Sequence, residues 1–237
     1  MLFNSRGLPP KAALIKRKMV KKGVVVAGFP ESQTYEETGL DDAEWQWEAG
    51  KENTPGWHDK FPPRGIGALT HKLKCKASLV HKGKFSMWQR IERRGGDPIF
   101  LCVAYYPKST DTKGHRTANK EVLDQVQEYL RVGEVIFMGD CNAHTGANGD
   151  KSPKVTAGRL LEDMLKSVSL TMVNKLESLC EGKFTRVEVK SGGMAETTID
   201  YVAVFEGILP HIVGLTIDDD QMDQTTSPCS CALGAWV

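Results

Sequence analysis

Between Val135 and His144 the chain reads Val-Ile-Phe-Met-Gly-Asp-Cys-Asn-Ala-His, so Asp140 and Asn142 come directly after an apolar run. An aspartate there can hold a water or a metal ion. An asparagine can donate to an anionic oxygen. Four residues of the type Gly-Asp-x-Asn also make an ordinary turn, because all three residue types favour turns. What lifts the stretch above a turn is recurrence. Asn4, Glu31, Tyr105, Asp200 and the acids near Asp223 also stand at or near the ends of apolar, strand-like runs. Strand ends are where ligands bind in layered α/β architectures.

The elements that must position these groups are read from periodicity. Leu2-Phe3-Asn4 reads as a short strand. A helix should open at Leu8-Pro9-Pro10, since proline suits a first helical turn, and close at Gly23. Val24 to Phe29 is a fully apolar strand ending at Pro30-Glu31. Residues 33–60, acidic and containing Trp45, Trp47 and Trp57, read as a long loop with one helical turn. Strands are expected at 65–71, 75–81, 85–92 and 97–106, forming an antiparallel meander. A polar loop over 107–116 precedes an amphipathic helix at 117–131, then strand 134–139. A helix at 158–168 and strands at 170–174, 184–190, 197–205 and 211–217 complete the series. The outcome is one domain of two packed sheets, rich in antiparallel pairs, with helices outside. It spans residues 1–228, and residues 229–237 are a short tail or last strand.

Composition is that of a water-soluble globule, at 40% hydrophobic and 26% charged residues over 237 positions. The apolar runs are far too short for a membrane span. No apolar signal segment opens the chain. The six cysteines lack metal-finger spacing, so thiols in a reducing compartment are expected. The expectation is an intracellular, soluble protein, nuclear if it acts on genomic DNA. Nothing in the sequence speaks to oligomeric state.

The net charge of +1 hides an asymmetry. Residues 31–59 hold nine acids against Lys51, and residues 60–94 hold ten bases, Arg64 among them, against Glu92. The basic block reads equally as a phosphate-facing surface or as solvated strand faces.

In chain order, Asn4, Glu31, Ala104-Tyr105-Tyr106-Pro107, Gly139-Asp140-Cys141-Asn142-Ala143-His144, Thr198-Ile199-Asp200-Tyr201 and Asp223 resemble the endonuclease/exonuclease/phosphatase superfamily. Phe184-Thr185 fits the same pattern as its aromatic-Thr step. The Asn-Ala-His after Gly-Asp leans toward the endonuclease domain of LINE-type retrotransposons. The resemblance implies an α/β (α+β) fold of DNase I type, a four-layered sandwich of mixed sheets with helices on the outer faces. It implies a Mg²⁺-dependent phosphodiester hydrolase acting on DNA, with Mn²⁺ as the alternative ion. Glu31, Asn4 and Asp223 would serve the metal. Asp140 would orient or deprotonate water. Asn142 and Tyr105 would hold the phosphate, with Arg64 and His144 as further substrate contacts, although His144 also reads as a plain loop residue. Asp200 would pair with a C-terminal histidine.

At that last point the chain departs from the pattern. Met222-Asp223-Gln224 stands where Ser-Asp-His is expected, and glutamine cannot take up and return a proton near neutral pH. The resemblance is therefore open to an impaired enzyme. The alternatives are a non-catalytic, nucleic-acid-binding remnant, or a phosphatase or lipid phosphodiesterase on the same fold.

Overall fold

The computed structural model describes residues 1–4, 8–32, 40–49, 65–147, 156–182, 184–190, 193–218 and 230–233. Among these the chain forms two large sheets stacked face to face. The first contains β1 (Leu2–Phe3), β2 (Val26–Phe29), β3 (Trp45–Ala49), β4 (Gly67–His71), β10 (Cys180–Glu181), β14 (Leu215–Asp218) and β15 (Ser230–Leu233). Its strand order is β10-β14-β15-β1-β2-β4-β3. The second contains β5 (Ala77–Lys82), β6 (Ser86–Ile91), β7 (Ile99–Tyr105), β8 (Glu134–Asp140), β9 (Leu170–Met172) and β13 (Asp200–Phe205). Its order is β5-β6-β7-β8-β13-β9. A separate hairpin joins β11 (Arg186–Lys190) to β12 (Gly193–Thr197).

Three apolar clusters define four layers. Leu2, Ile66, Met87, Val103, Tyr105, Met138, Val202 and Ile217 fill the space between the sheets. Helix α1 (Ala12–Lys21) buries Ile15 and Met19, four residues apart on one face, against the outer side of the first sheet. Helices α2 (Thr112–Tyr129) and α3 (Thr156–Ser167) cover the outer side of the second with Val122, Val126, Leu161 and Leu165. The sandwich of two sheets between helices is the architecture expected from the strand pattern. None of the helices among the described residues is long and apolar enough to cross a membrane.

Close approach of the sheets depends on Gly28. A Cβ at that position would lie 2.7 Å from a Val103 methyl and 2.8 Å from the Met138 methyl of the opposing sheet.

Two parallel pairs, one from each sheet, carry polar residues at their ends. Strands β7 and β8 run parallel from Ile99↔Glu134 to Tyr105↔Asp140, with α2 as the crossover between them. Every residue of β7 is buried, as expected of a central strand covered on both faces. In the other sheet β1 and β2 pair in parallel at Leu2↔Gly28. A further parallel pair, β10 with β14, closes the far edge of that sheet.

Several expected elements are placed differently. Residues 45–49 form strand β3 rather than loop: Trp45, Trp47 and Ala49 are buried in the cluster beneath α1 while Gln46 and Glu48 alternate with them. The period of two was masked by the acidic residues around it. Asp42 steadies the turn before β3 by accepting from the Trp45 N–H at 2.8 Å. The meander is not continuous, because β4 pairs with β2 and β3 in one sheet while β5, β6 and β7 belong to the other. Helix α2 begins at Thr112, because Asp111 caps it by accepting from the Gly114 N–H at 2.8 Å. The strand expected over 197–205 is broken at Thr198-Ile199, which leaves Gly193–Thr197 to the hairpin and starts β13 at Asp200. Ser230–Leu233 is a strand of the first sheet, paired with both β1 and β14.

Candidate active site

The pairs β7–β8 and β1–β2 end at the same place. Tyr105 and Asp140 close β7 and β8 as direct register partners, and Asp140 is also the partner of Asp200 at the start of β13. Tyr105, Asp140 and Asp200 therefore stand side by side on three adjacent strands. Asn4 and Glu31 come just after the ends of β1 and β2 in the opposing sheet.

Hydrogen bonds join the two pairs across the sandwich. The Asn4 amide donates to Asp140 Oδ2 at 2.8 Å. The Tyr105 hydroxyl donates to Glu31 Oε1. The residues that the sequence singled out one by one thus form a crossed quartet, in which each sheet supplies one carboxylate and one neutral donor. Glu31, Asp140 and Asp200 are all buried.

Backbone conformation marks the same spot. Three non-glycine residues among those described have positive φ: Glu31 at 53°, Asn142 at 44° and Ser169 at 54°. Two of the three belong to this cluster. Left-handed backbone at a non-glycine residue costs energy and tends to collect at functional sites. At Asn142 the conformation is secured on both sides. Its N–H donates to Asp140 Oδ1 at 3.0 Å, and its Nδ2 donates to the Tyr106 carbonyl at 3.0 Å.

Supporting residues fix the strands. Thr185 Oγ1 accepts from the N–H groups of Ile199 at 2.9 Å and Asp200 at 3.1 Å. Asn174 grips β13 from the other side, accepting from the Val202 N–H at 2.8 Å and donating to the Asp200 carbonyl at 3.3 Å. The Tyr201 hydroxyl lies 2.8 Å from the Ala143 carbonyl and accepts from the Thr145 N–H, which ties down the loop after β8. Glu121 of α2 receives the N–H groups of Lys84 and Phe85 and the Ser86 hydroxyl. The Phe85 carbonyl in turn accepts from the Tyr105 N–H at 2.9 Å. Tyr106 packs with the outer cluster, its ring edge-on to Phe137 and His115, while Tyr105 belongs to the cluster between the sheets. Adjacent strand residues point to opposite faces.

Electrostatically the site is a crowded anion. Burial and the neighbouring Glu31 carboxylate push the Asp140 carboxyl up to about 7, against the opposing effects of the Asn142 N–H, the Asn4 amide and the Arg186 charge. Two buried carboxylates that repel each other suit a bound cation. No cluster of three or more His, Cys, Asp or Glu side chains suited to a metal occurs among the described residues. A donor set of two carboxylates and an amide suits a hard, hydrated ion such as Mg²⁺, which takes one or two carboxylates and keeps much of its water.

His144 is half-buried in the loop after β8, with its carbonyl against Gly158 of α3. Arg64, Asp223 and Gln224 lie outside the described residues. The basic block of the sequence divides. By strand register, Lys82 and Lys84 share the end of the sheet that carries Ser86 and Tyr105. Lys76, Arg90, Arg93 and Arg94 lie toward the opposite end, where Arg90 pairs with Glu92 and Arg93 with Glu134. Asn174 and Arg186 went unnoticed as site residues in the sequence. A lone asparagine in a turn carries no signal, and Arg186 sits in an ordinary alternating strand, one residue past the Phe184-Thr185 step.

Comparison with known proteins bears on the fold. No protein-family model matches the chain, and no curated protein matches it. Solved structures do. The endonuclease domain of TRAS1, a telomere-specific non-LTR retrotransposon, superposes with a TM-score of 0.70 at 15% identity, covering 98% of this chain and 97% of that one. The 3′-5′ exonuclease of Neisseria meningitidis superposes with a TM-score of 0.70 at 12% identity over 99% of each chain. The AP endonuclease LMAP of Leishmania major gives 0.71 at 11% identity, covering 99% of this chain and 87% of that one. The class that fold and topology define is the DNase I-like α/β sandwich.

Proposed function

We propose that the protein is a Mg²⁺-dependent phosphodiester hydrolase of the DNA endonuclease type. The observation that carries this is the crossed quartet, Asn4 to Asp140 and Tyr105 to Glu31, with Asp200 in register beside Asp140. Two buried carboxylates of opposing sheets, each held by a neutral donor, are more than a sandwich needs for stability, since buried charge is costly.

Glu31, with Asn4 beside it, would hold Mg²⁺, or Mn²⁺ in its place. When bound, the ion supplies positive charge against the charge that develops on the phosphate. Asp140 accepts a proton from the attacking water as the new oxygen–phosphorus bond forms and the bond to the leaving ester oxygen breaks, that oxygen departing with the bonding pair and taking its proton from solvent. A carboxylate whose proton affinity is raised toward neutrality is a better base than an ordinary one. Asn142 uses one Nδ2 hydrogen on the Tyr106 carbonyl and presents the second to a non-bridging oxygen. Tyr105 donates to the phosphate when its hydroxyl exchanges Glu31 for substrate. Asp223 would join the metal and water ligands, and Gln224 would donate to phosphate without relaying a proton. DNA as substrate is supported by the nucleases among the structural neighbours.

The test is nicking of supercoiled plasmid with Mg²⁺ or with chelator, for the wild type, Glu31→Ala and Asp140→Ala. Metal-dependent nicking, reduced about 10²-fold or more by each substitution, is expected. Nicking that survives both substitutions would overturn the assignment.

A further inference from the structure

Three carboxylates, Glu31, Asp140 and Asp200, give the site a field that repels a phosphodiester, and Lys76, Arg90, Arg93 and Arg94 of the basic block lie toward the other end of the sheet. One cation is built into the supports of the site itself. Arg186 opens β11 directly after Thr185, whose hydroxyl holds the Asp200 N–H at 3.1 Å, and Asp200 is the register partner of Asp140. The base of the hairpin is anchored on both sides, because Arg186 pairs with Thr197 and the Thr185 N–H donates to the Thr197 carbonyl at 3.0 Å. Arg186 is half-buried.

We propose that Arg186 is a substrate-holding residue of this site, its guanidinium engaging the non-bridging oxygens of the phosphodiester beside Asn142. This rests on the phosphodiester-hydrolase function proposed for the site. A planar guanidinium offers paired donors that match two phosphate oxygens, and it keeps its charge at every working pH. Its charge lies within electrostatic reach of Asp140. Held by the backbone of a hairpin rather than by a loop, Arg186 is set in place before substrate arrives.

The test compares wild type, Arg186→Ala, Arg186→Gln and Arg186→Lys in two assays, with melting temperatures as a check on folding. One assay is Mg²⁺-dependent nicking; the other is binding of a short duplex in chelator across a salt series. Arg186→Ala and Arg186→Gln should lower kcat/KM about 10²-fold, and Arg186→Lys should recover part of it. In the binding assay the alanine variant should weaken affinity and reduce the salt slope by about one. A wild type that nicks, with Arg186→Gln and Arg186→Lys nicking equally well, overturns the role of Arg186 and leaves the function standing. A wild type that never nicks overturns the function, and the binding assay then decides: a weakened, flatter salt dependence for Arg186→Ala supports the phosphate contact, and unchanged binding overturns it.

Discussion

Asn4 and Asp140, 136 residues apart and in different sheets, are joined by a hydrogen bond of 2.8 Å. The bond is charge-assisted only when Asp140 is ionised, and ionisation is opposed by burial and by Glu31. The proton affinity of Asp140 therefore reports the balance between the polar partners of the site and the core that contains it.

That balance predicts a pH dependence of stability with a definite sign. The Asp140 carboxyl is raised from 3.8 to about 7 in the folded protein. Between those values the native state holds a proton that the unfolded chain has released. The contribution of this group to the stability of metal-free protein is therefore fully present below the unfolded value of 3.8 and is lost as pH rises to and through about 7. The upper bound over the whole interval is roughly 4 kcal/mol, at about 1.36 kcal/mol per pH unit. Chemical denaturation from pH 5 to 8 in chelator measures the larger part of it. Asp140→Asn should flatten the curve, and Mg²⁺ should restore part of the stability lost at pH 8. Stability that rises steadily from pH 5 to 8 in chelator would contradict the arrangement.

Asn142 separates backbone strain from side-chain function. At φ of 44° an alanine carries a left-handed penalty of about 1–2 kcal/mol that glycine escapes. Both substitutions remove the Nδ2 bond to the Tyr106 carbonyl. Asn142→Gly should therefore be more stable than Asn142→Ala by about 1 kcal/mol in denaturant melts. Nicking should fall about 10²-fold for both, because both lose the donor to phosphate. If glycine restored nicking, Asn142 would be a conformational residue and not a phosphate contact.

The layers of the fold and the polar strand ends were legible because each depends on local pattern. Val24 to Phe29 and Ile99 to Tyr106 are apolar runs that only a central strand accommodates, and Glu31 and Tyr105 fall at their ends. The crossing of the quartet was not legible, since which strand end faces which depends on the stacking of two sheets. Strand β3 was hidden for a different reason: its alternating tryptophans lie in a stretch so acidic that composition argued for loop. Thr185 could be recognised only through the resemblance, as the second residue of its aromatic-Thr step. Arg186 could not, because its nearness to Asp140, on a strand of a different sheet far back in the chain, follows only from the fold. The split of the basic block likewise needs the register of β5 and β6, which no run of lysines discloses.

Thr185 gives the sharpest test of how Asp200 is held. Its hydroxyl oxygen accepts two buried N–H groups, those of Ile199 and Asp200, at the break where β12 gives way to β13. Thr185→Val keeps the shape and removes the acceptor, leaving two buried donors without a partner at about 1–3 kcal/mol each. The expected loss of stability is about 2–4 kcal/mol, allowing for partial relaxation. Activity should fall with it, since Asp200 and its neighbour Asp140 lose their alignment. Thr185→Ser keeps the acceptor and should restore both properties to near wild type. The two effects separate below the melting transition. If Thr185→Val is fully folded in the cold and still nicks plasmid at the wild-type rate, the Asp200 backbone does not need Thr185, and the β8–β13 pairing with Asn174 suffices to align Asp200 with Asp140.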